Sequence, residues 1–198
     1  LLKEKVRIFS ELLKKSDVLS EVEGIGKVIE FYHAWHIPMI ACTGGESKTA
    51  AQTLESLGFS DIMVSMVSNN NITRGKPDPE SFERGRDIAQ LICGIENCWC
   101  HAYENHPNGV HSARVAMGEN GVVLFGNYGD PKKSQEAVVR LAGLHPSTGP
   151  ISPVVMIPGP GFEAIADYLV KEIGVPANPY TRGMDARRMR STGDTGTE

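Results

Sequence analysis

Three groups of polar residues stand where short apolar runs end, and each has the chemistry to meet an anion or a metal. Thr43-Gly44-Gly45 follows the run PMIAC. A hydroxyl on a glycine turn ahead of a helical pattern offers backbone N–H groups and a helix dipole to an anion. The same threonine would also serve as a plain helix cap. Lys76 lies in RGKPDPESF, residues 74–82. Pro77 and Pro79 fix their own φ and bias the residues before them toward extended geometry, so the lysine sits on a stiff approach. Asp78 is the expected N-cap and Pro79 falls in the first turn. A solvated lysine beside a helix start is the alternative. The third group, Tyr103-Glu104-Asn105-His106-Pro107-Asn108, places a carboxylate, an amide and an imidazole directly after CWCHA. Acidic oxygen ligands at a strand end suit a Mg²⁺ phosphate site.

The elements that must position these groups follow from hydrophobic periodicity. PMIACT (38–43), DIMVSM (61–66), CWCHAY (98–103), GVVLFG (121–126) and PVVMIP (153–158) are short apolar runs that predict buried strands. Helical patterns lie between and after them, at 47–57, 79–92, 108–117, 133–143 and 161–173, with Gly58, Gly118 and Gly143 at expected C-caps. Such alternation predicts an α/β fold, a parallel sheet with helices on both faces. Ligands of open parallel sheets bind beyond the carboxyl ends of the strands, where all three polar groups fall.

Composition narrows the classes. The chain has 198 residues, 40% hydrophobic and 22% charged, with a net charge of −4. This is ordinary for a globular protein and leaves no electrostatic footprint for nucleic acid over the whole chain. No apolar run reaches the roughly 20 residues of a membrane span. The amphipathic start LLKEKVRIFSELLKK is unlike a signal peptide. Cys42, Cys93, Cys98 and Cys100 lie in apolar surroundings. Cys98 and Cys100 share one strand face, His101 points to the other, and no second cysteine pair has zinc-site spacing. Reduced structural thiols and an intracellular, reducing setting follow, in the cytoplasm or an organelle such as a mitochondrion or plastid. His33 and His36 are expected at the surface, and Trp35 and Trp99 in core or cap packing.

Taken in order, the three groups resemble the motifs of the haloacid-dehalogenase-like (HAD) hydrolase superfamily, in its phosphoglycolate phosphatase and β-phosphoglucomutase branch. IPMIACTGGESKTAAQTLESLGF resembles the second motif, whose Thr or Ser binds the phosphoryl group. GKPDPESF resembles the third, whose Lys neutralises phosphoryl and nucleophile. YENHPNGVHSARVAMG resembles the fourth, commonly an acidic pair followed by Ser, Pro, Asn, Gly and a helix. The resemblance covers about Lys3 to Leu169. It implies a Rossmann-like core in which Thr43, Gly44 and Lys76 bind phosphate and Glu104 and Asn105 stand at metal-ligand positions. IPGPGFEAI (157–165) would be the last strand running into the final helix.

The departures shape the functional expectation. The family's first motif is Asp-x-Asp, a nucleophile and a general acid/base on an N-terminal strand, and no Asp-x-Asp occurs in these residues. Asn105 stands where the family has Asp, and a neutral amide is a poorer ligand for a hard cation. The chain is therefore expected to comprise residual cap or linker helices at 1–36, a HAD-like core at 37–175, and an extended or disordered tail at 176–198, with the first strand and most of the cap missing. The main expectation is a non-catalytic structural or binding subunit of a larger assembly. A partner would cover the open sheet edge and order the tail with Arg182, Arg187, Arg188 and Arg190. The vacant slot would otherwise be filled by an upstream segment or a rearranged local strand. Phosphate or a phosphorylated metabolite remains a candidate ligand; nucleic acid is expected only locally, within an assembly. The alternative is an incomplete chain of a Mg²⁺-dependent phosphatase or phosphomutase acting on a small phosphorylated metabolite, with the Asp pair upstream.

Overall fold

Strand and helix alternate as the periodicity predicts. The computed structural model describes residues 4, 7, 8, 11, 12, 25–126, 131–144, 147 and 149–157. The expected C-terminal helix, the turn after Ile157 and the arginine-bearing tail lie outside them, as do most of residues 1–24. Helix α1 (Ile25–Ala34) is followed by β1 (Ile40–Cys42), α2 (Ser47–Ser56), β2 (Ser65–Val67), α3 (Glu80–Cys93), β3 (Cys100–Glu104), α4 (Pro107–Met117), β4 (Gly121–Gly126), α5 (Pro131–Leu144) and β5 (Val154–Ile157). Every ladder is parallel, with Ile40 opposite Ser65, Cys100 opposite Gly121 and Val123 opposite Val154. Among the described residues the strands form two hydrogen-bonded pieces, β1–β2 and β3–β4–β5, and no ladder joins β1 to β3.

β4 is the best-buried strand because GVVLFG is apolar on both sides, as a central parallel strand must be. Val123 points into a cluster with Phe82 of α3, Ala102 of β3, Val110, Ala113, Ala116 and Met117 of α4 and Val138 of α5. Cys42, Cys100 and Val154 pack against its margin. Val122 and Leu124 are each 1% exposed on the other side of the strand. Helix α1 presents the buried residues Val28, Phe31 and Tyr32, and the Tyr32 hydroxyl meets both His101 Nδ1 (2.7 Å) and the Tyr103 hydroxyl (2.6 Å) of β3. The alternation of β3 thus separates Ala102, in the cluster, from His101 and Tyr103 under α1.

Several expected boundaries move. DIMVSM was expected as a strand at 61–66, but the strand is Ser65–Val67, because Ile62 and Met63 donate their N–H groups to the Phe59 carbonyl in a turn. Gly143 is not a C-cap; α5 runs through it to Leu144. The unforeseen cap is Gly94, which ends α3 at φ 64°, a left-handed backbone that glycine adopts without strain. Trp99 is not packed in the core but 56% exposed, since it falls just before β3 on the side turned from the cluster. His33 and His36 are exposed as expected. No described helix is long and apolar enough to cross a membrane.

Candidate functional site

The stiff approach to Lys76 is built by a carboxylate that the sequence does not advertise. Glu80, buried in the first turn of α3, accepts hydrogen bonds from the Thr73 hydroxyl (2.8 Å) and from the N–H groups of Thr73 (3.0 Å) and Arg74 (2.8 Å), and pairs with Arg84 (3.0 Å). The Thr73 hydroxyl is the largest of the influences that hold its carboxyl down to about 2. Asp78 is not the N-cap expected of it: Pro79 occupies that position rather than the first turn, and Asp78, one residue earlier, accepts from the Glu80 N–H at 3.0 Å. The Ser112 hydroxyl of α4 donates to the Asp78 carbonyl at 2.7 Å, pinning the segment from the other side. The Lys76–Pro77 peptide is cis.

This frame delivers the Lys76 ammonium to the carboxyl ends of both sheet pieces. Nζ donates to the Cys42 carbonyl at the end of β1 (3.0 Å) and to Glu104 Oε1 at the end of β3. It also lies 4.5 Å from the centre of the Phe82 ring, a cation–π contact. The two charged side chains retain only 18% and 9% of their exposure, so the pair is largely withdrawn from water. Burial is also the main reason the Cys42 thiol is pushed up to about 11. Lys76 is therefore not a solvated surface lysine.

Glu104 is seated by a glycine. A Cβ on Gly109 of α4 would lie 2.1 Å from the Glu104 carboxyl carbon, so the carboxylate occupies the space a side chain would need. Asn105 is exposed, and its backbone N–H donates to Glu104 Oε2 at 3.3 Å. His106 caps α4 by accepting from the Asn108 N–H at 3.2 Å.

Thr43, half-buried, and Gly44, exposed, follow the Cys42 carbonyl that Lys76 holds, on the loop after β1. Thr43 is not the cap of α2: Glu46 holds that position, and the Thr43 hydroxyl accepts from the Gly45 N–H at 3.1 Å. The N-terminus of α2 is served instead by Asn70, whose Oδ1 accepts from the Ser47 N–H (2.9 Å) and the Ser47 hydroxyl (3.1 Å). Asn69 braces the glycine turn, its N–H to the Gly45 carbonyl at 3.1 Å and its side-chain amide to the Gly44 carbonyl. Ser68, fully buried, touches the Ser47 hydroxyl at 2.5 Å. Sequence reasoning missed this SNNN run; its position directly after an apolar strand, at the same carboxyl end, was the available signal.

The arrangement is a glycine turn braced by Asn69 and carrying the Thr43 hydroxyl, a fixed ammonium and one largely buried carboxylate. It suits recognition of a phosphate-like anion. For a metal the fit is poorer. Glu104 is engaged by an ammonium, Asn105 supplies a neutral amide, and among the described residues no three His, Cys, Asp or Glu side chains stand close enough to hold an ion. These residues alone do not make the oxygen shell that Mg²⁺ requires.

No family model matches the chain. In sequence it is 27% identical over 117 residues to a phosphorylated carbohydrates phosphatase of Thermotoga maritima, covering 57% of this chain and 48% of that protein. It is 28% identical over 108 residues to a fructose-1-phosphate phosphatase of Escherichia coli, covering 52% of this chain and 53% of that one. The chain thus spans about half the length of these relatives. In fold it matches a candidate β-phosphoglucomutase from Thermotoga maritima with a TM-score of 0.56 at 23% identity, covering 86% of this chain and 66% of the other. It also matches the β-phosphoglucomutase of Clostridium difficile, with a TM-score of 0.55 at 17% identity over 86% and 64% of the two chains. The chain's relatives in sequence are phosphatases, in line with its motif resemblance to the HAD superfamily, and its Rossmann-like α/β fold is that of the two β-phosphoglucomutase structures.

Proposed function

We propose that this chain forms the phosphate-recognition part of a HAD-type phosphatase or phosphomutase that acts on small phosphorylated metabolites. Thr43, the Gly44-Gly45 turn and Lys76 receive the phosphoryl group. The observation that carries this reading is the Lys76 ammonium, fixed by a proline- and glutamate-braced turn between the Cys42 carbonyl and Glu104, next to the half-buried Thr43 and its exposed glycine turn. A lysine needed only for solubility would not be withdrawn from water and given a cation–π seat. The relatives named above act on phosphorylated carbohydrates and fructose 1-phosphate, which makes sugar phosphates the first ligands to try.

Chemistry on the bound phosphate needs a carboxylate nucleophile, which the resemblance assigns to an Asp-x-Asp motif not found in these residues. Mg²⁺ is the metal that the resemblance implies, with Glu104 and Asn105 at the positions of its ligands and its remaining ligands drawn from elsewhere. Asn105 in place of a second acid supports a different outcome, a non-catalytic binding module that keeps the phosphate loop and serves within an assembly.

Thermal unfolding with inorganic phosphate tests the shared core of both readings. If the dissociation constant is near 1 mM, 10 mM phosphate stabilises the protein by about 1.4 kcal/mol, a shift of roughly 3–6 °C. Thr43→Ala should remove much of the shift, and Lys76→Ala all of it. No shift in the unsubstituted protein refutes the phosphate site. Release of phosphate from fructose 1-phosphate or glucose 1-phosphate with Mg²⁺ present supports the enzyme reading; a shift without turnover supports the binding module.

A further inference from the structure

Among the described residues outside the phosphate loop, two thiols lie close together at the opposite end of β3. Cys98 and Cys100 flank Trp99 with their Sγ atoms 3.7 Å apart, already in van der Waals contact, and Cys100 Sγ also approaches the Cys98 carbonyl at 3.5 Å. All four cysteines are free thiols. We propose that Cys98 and Cys100 form a reversible oxidation site, a dithiol that closes to a Cys98–Cys100 disulfide on exposure to a peroxide.

Geometry sets the cost of closure. Two residues along an extended strand separate Cα atoms by about 6.6 Å, near the upper end of the range that disulfides bridge. The sulfurs already lean together, so side-chain rotation covers most of the remaining distance. Any backbone contraction falls on Cys98 and Trp99, which precede β3 and take no part in its ladder; that ladder begins at Cys100, opposite Gly121. Trp99 resists little, being more than half exposed.

The environments of the two sulfurs order the steps. Cys98 is half-buried and reachable from solvent. Cys100 packs against the core cluster, and burial, reinforced by its neighbour Cys98, pushes its thiol up to about 12, so it stays protonated at neutral pH. Cys98, the more accessible sulfur, gives up its proton and attacks the peroxide oxygen; the O–O bond breaks, Cys98 becomes a sulfenic acid, and the departing hydroxide takes up the proton released by the thiol and leaves as water. Cys100 sulfur then attacks Cys98 sulfur, the S–O bond breaks, and the Cys100 proton departs with the hydroxyl as a second water. Overall two thiols and one hydrogen peroxide give one disulfide and two waters. A soft-metal site is the weaker reading, because among the described residues no third His, Cys, Asp or Glu joins the pair at metal-binding distance.

The test treats the full reduced chain with stoichiometric hydrogen peroxide, blocks remaining thiols with N-ethylmaleimide in denaturant, and weighs the tryptic peptide spanning residues 87–114. That peptide holds Cys93, Cys98 and Cys100. The expected product carries one label, on Cys93, and lacks two hydrogens; dithiothreitol restores three labels. Cys98→Ser should lower the reducible product on the order of tenfold, and Cys93→Ser should leave it unchanged. Three labels after peroxide, a disulfide that includes Cys93, or irreversible sulfinic acid at Cys98 would each overturn the proposal.

Discussion

Replacing Lys76 by Met while leaving Glu104 in place is the perturbation whose size follows most directly from the site. Three interactions end at the Lys76 ammonium: the Glu104 carboxylate, the Cys42 carbonyl and the Phe82 ring. Methionine keeps much of the aliphatic stem, so the packing loss is small, and what remains is a carboxylate 9% exposed without its counter-ion. Removing one partner of a fully buried pair costs about 3–5 kcal/mol. Because Lys76 keeps 18% of its exposure, water can reach the vacated position, and about 2–4 kcal/mol is the better expectation here. For a domain of this size that is a fall in Tm of roughly 5–12 °C. Adding Glu104→Leu removes the stranded charge, so the double variant should recover most of the loss, as hydrophobic replacements of buried pairs do. Urea unfolding of the four species gives a coupling energy between the two sites. A coupling within about 0.3 kcal/mol of zero, with Lys76→Met costing less than about 0.5 kcal/mol, would show that the pair does not hold the two strand ends together in solution.

Two further predictions rest on other contacts. Gly109→Ala places a methyl group where the Glu104 carboxylate sits, so it should cost about 1–3 kcal/mol and weaken the phosphate-induced rise in Tm, whereas Gly94→Ala at the αL cap of α3 should cost less than about 1.5 kcal/mol and leave that rise intact; equal phosphate responses in both would refute the seating role of Gly109. Burial beneath α1, against Tyr32 and Tyr103, pushes His101 down to about 4. The native protein then lacks a proton that the unfolded chain binds below about pH 6.5, and stability contributed by neutral His101 is complete above that pH and lost as the pH falls toward 4. At pH 5 the loss is about 2 kcal/mol relative to pH 7.5, and it should be absent from His101→Gln when urea midpoints are compared at the two pH values; parallel pH dependences would refute it.

What was legible in the chain follows from how each residue satisfies its surroundings. GVVLFG predicts β4 to the residue because a strand buried on both faces has no competing use for its side chains. DIMVSM misleads because Ile62 and Met63 are apolar enough for a strand but are recruited by the turn closing on the Phe59 carbonyl. Gly143 resembles a cap, yet a helical glycine costs only about 1 kcal/mol, which the burial of Val138 on the same helix offsets. At the site, Thr43, Lys76 and Glu104 are visible by type and by position at strand ends. Their supports are not: Asn69 and Asn70 look like ordinary loop residues, and Glu80 like an ordinary first-turn acid, until the fold brings Gly44, Ser47 and Thr73 to them. Gly44 and Ser47 are more than twenty residues from the asparagines that hold them, and Thr73 meets Glu80 across a loop, so neither pairing leaves a local period to find.

The same contacts decide which residue discriminates best between a binding site and a structural strut. Lys76 joins the ends of β1 and β3, two sheet pieces that no ladder connects among the described residues. Its removal must therefore disturb the fold whether or not phosphate ever binds, and loss of a ligand effect in Lys76→Ala can arise from either cause. Thr43 has no such double duty. Its side chain is half-buried, and the one hydrogen bond described for its hydroxyl accepts from the Gly45 N–H within the same turn, so Thr43→Ala should change stability by no more than about 1 kcal/mol. A hydroxyl kept on an exposed glycine turn, braced by Asn69 yet capping no helix, has little structural work to do. If phosphate protection falls in Thr43→Ala while unliganded stability holds, the loop is a binding site, and the half-buried lysine beside it is explained by the anion it meets as well as by the strands it ties.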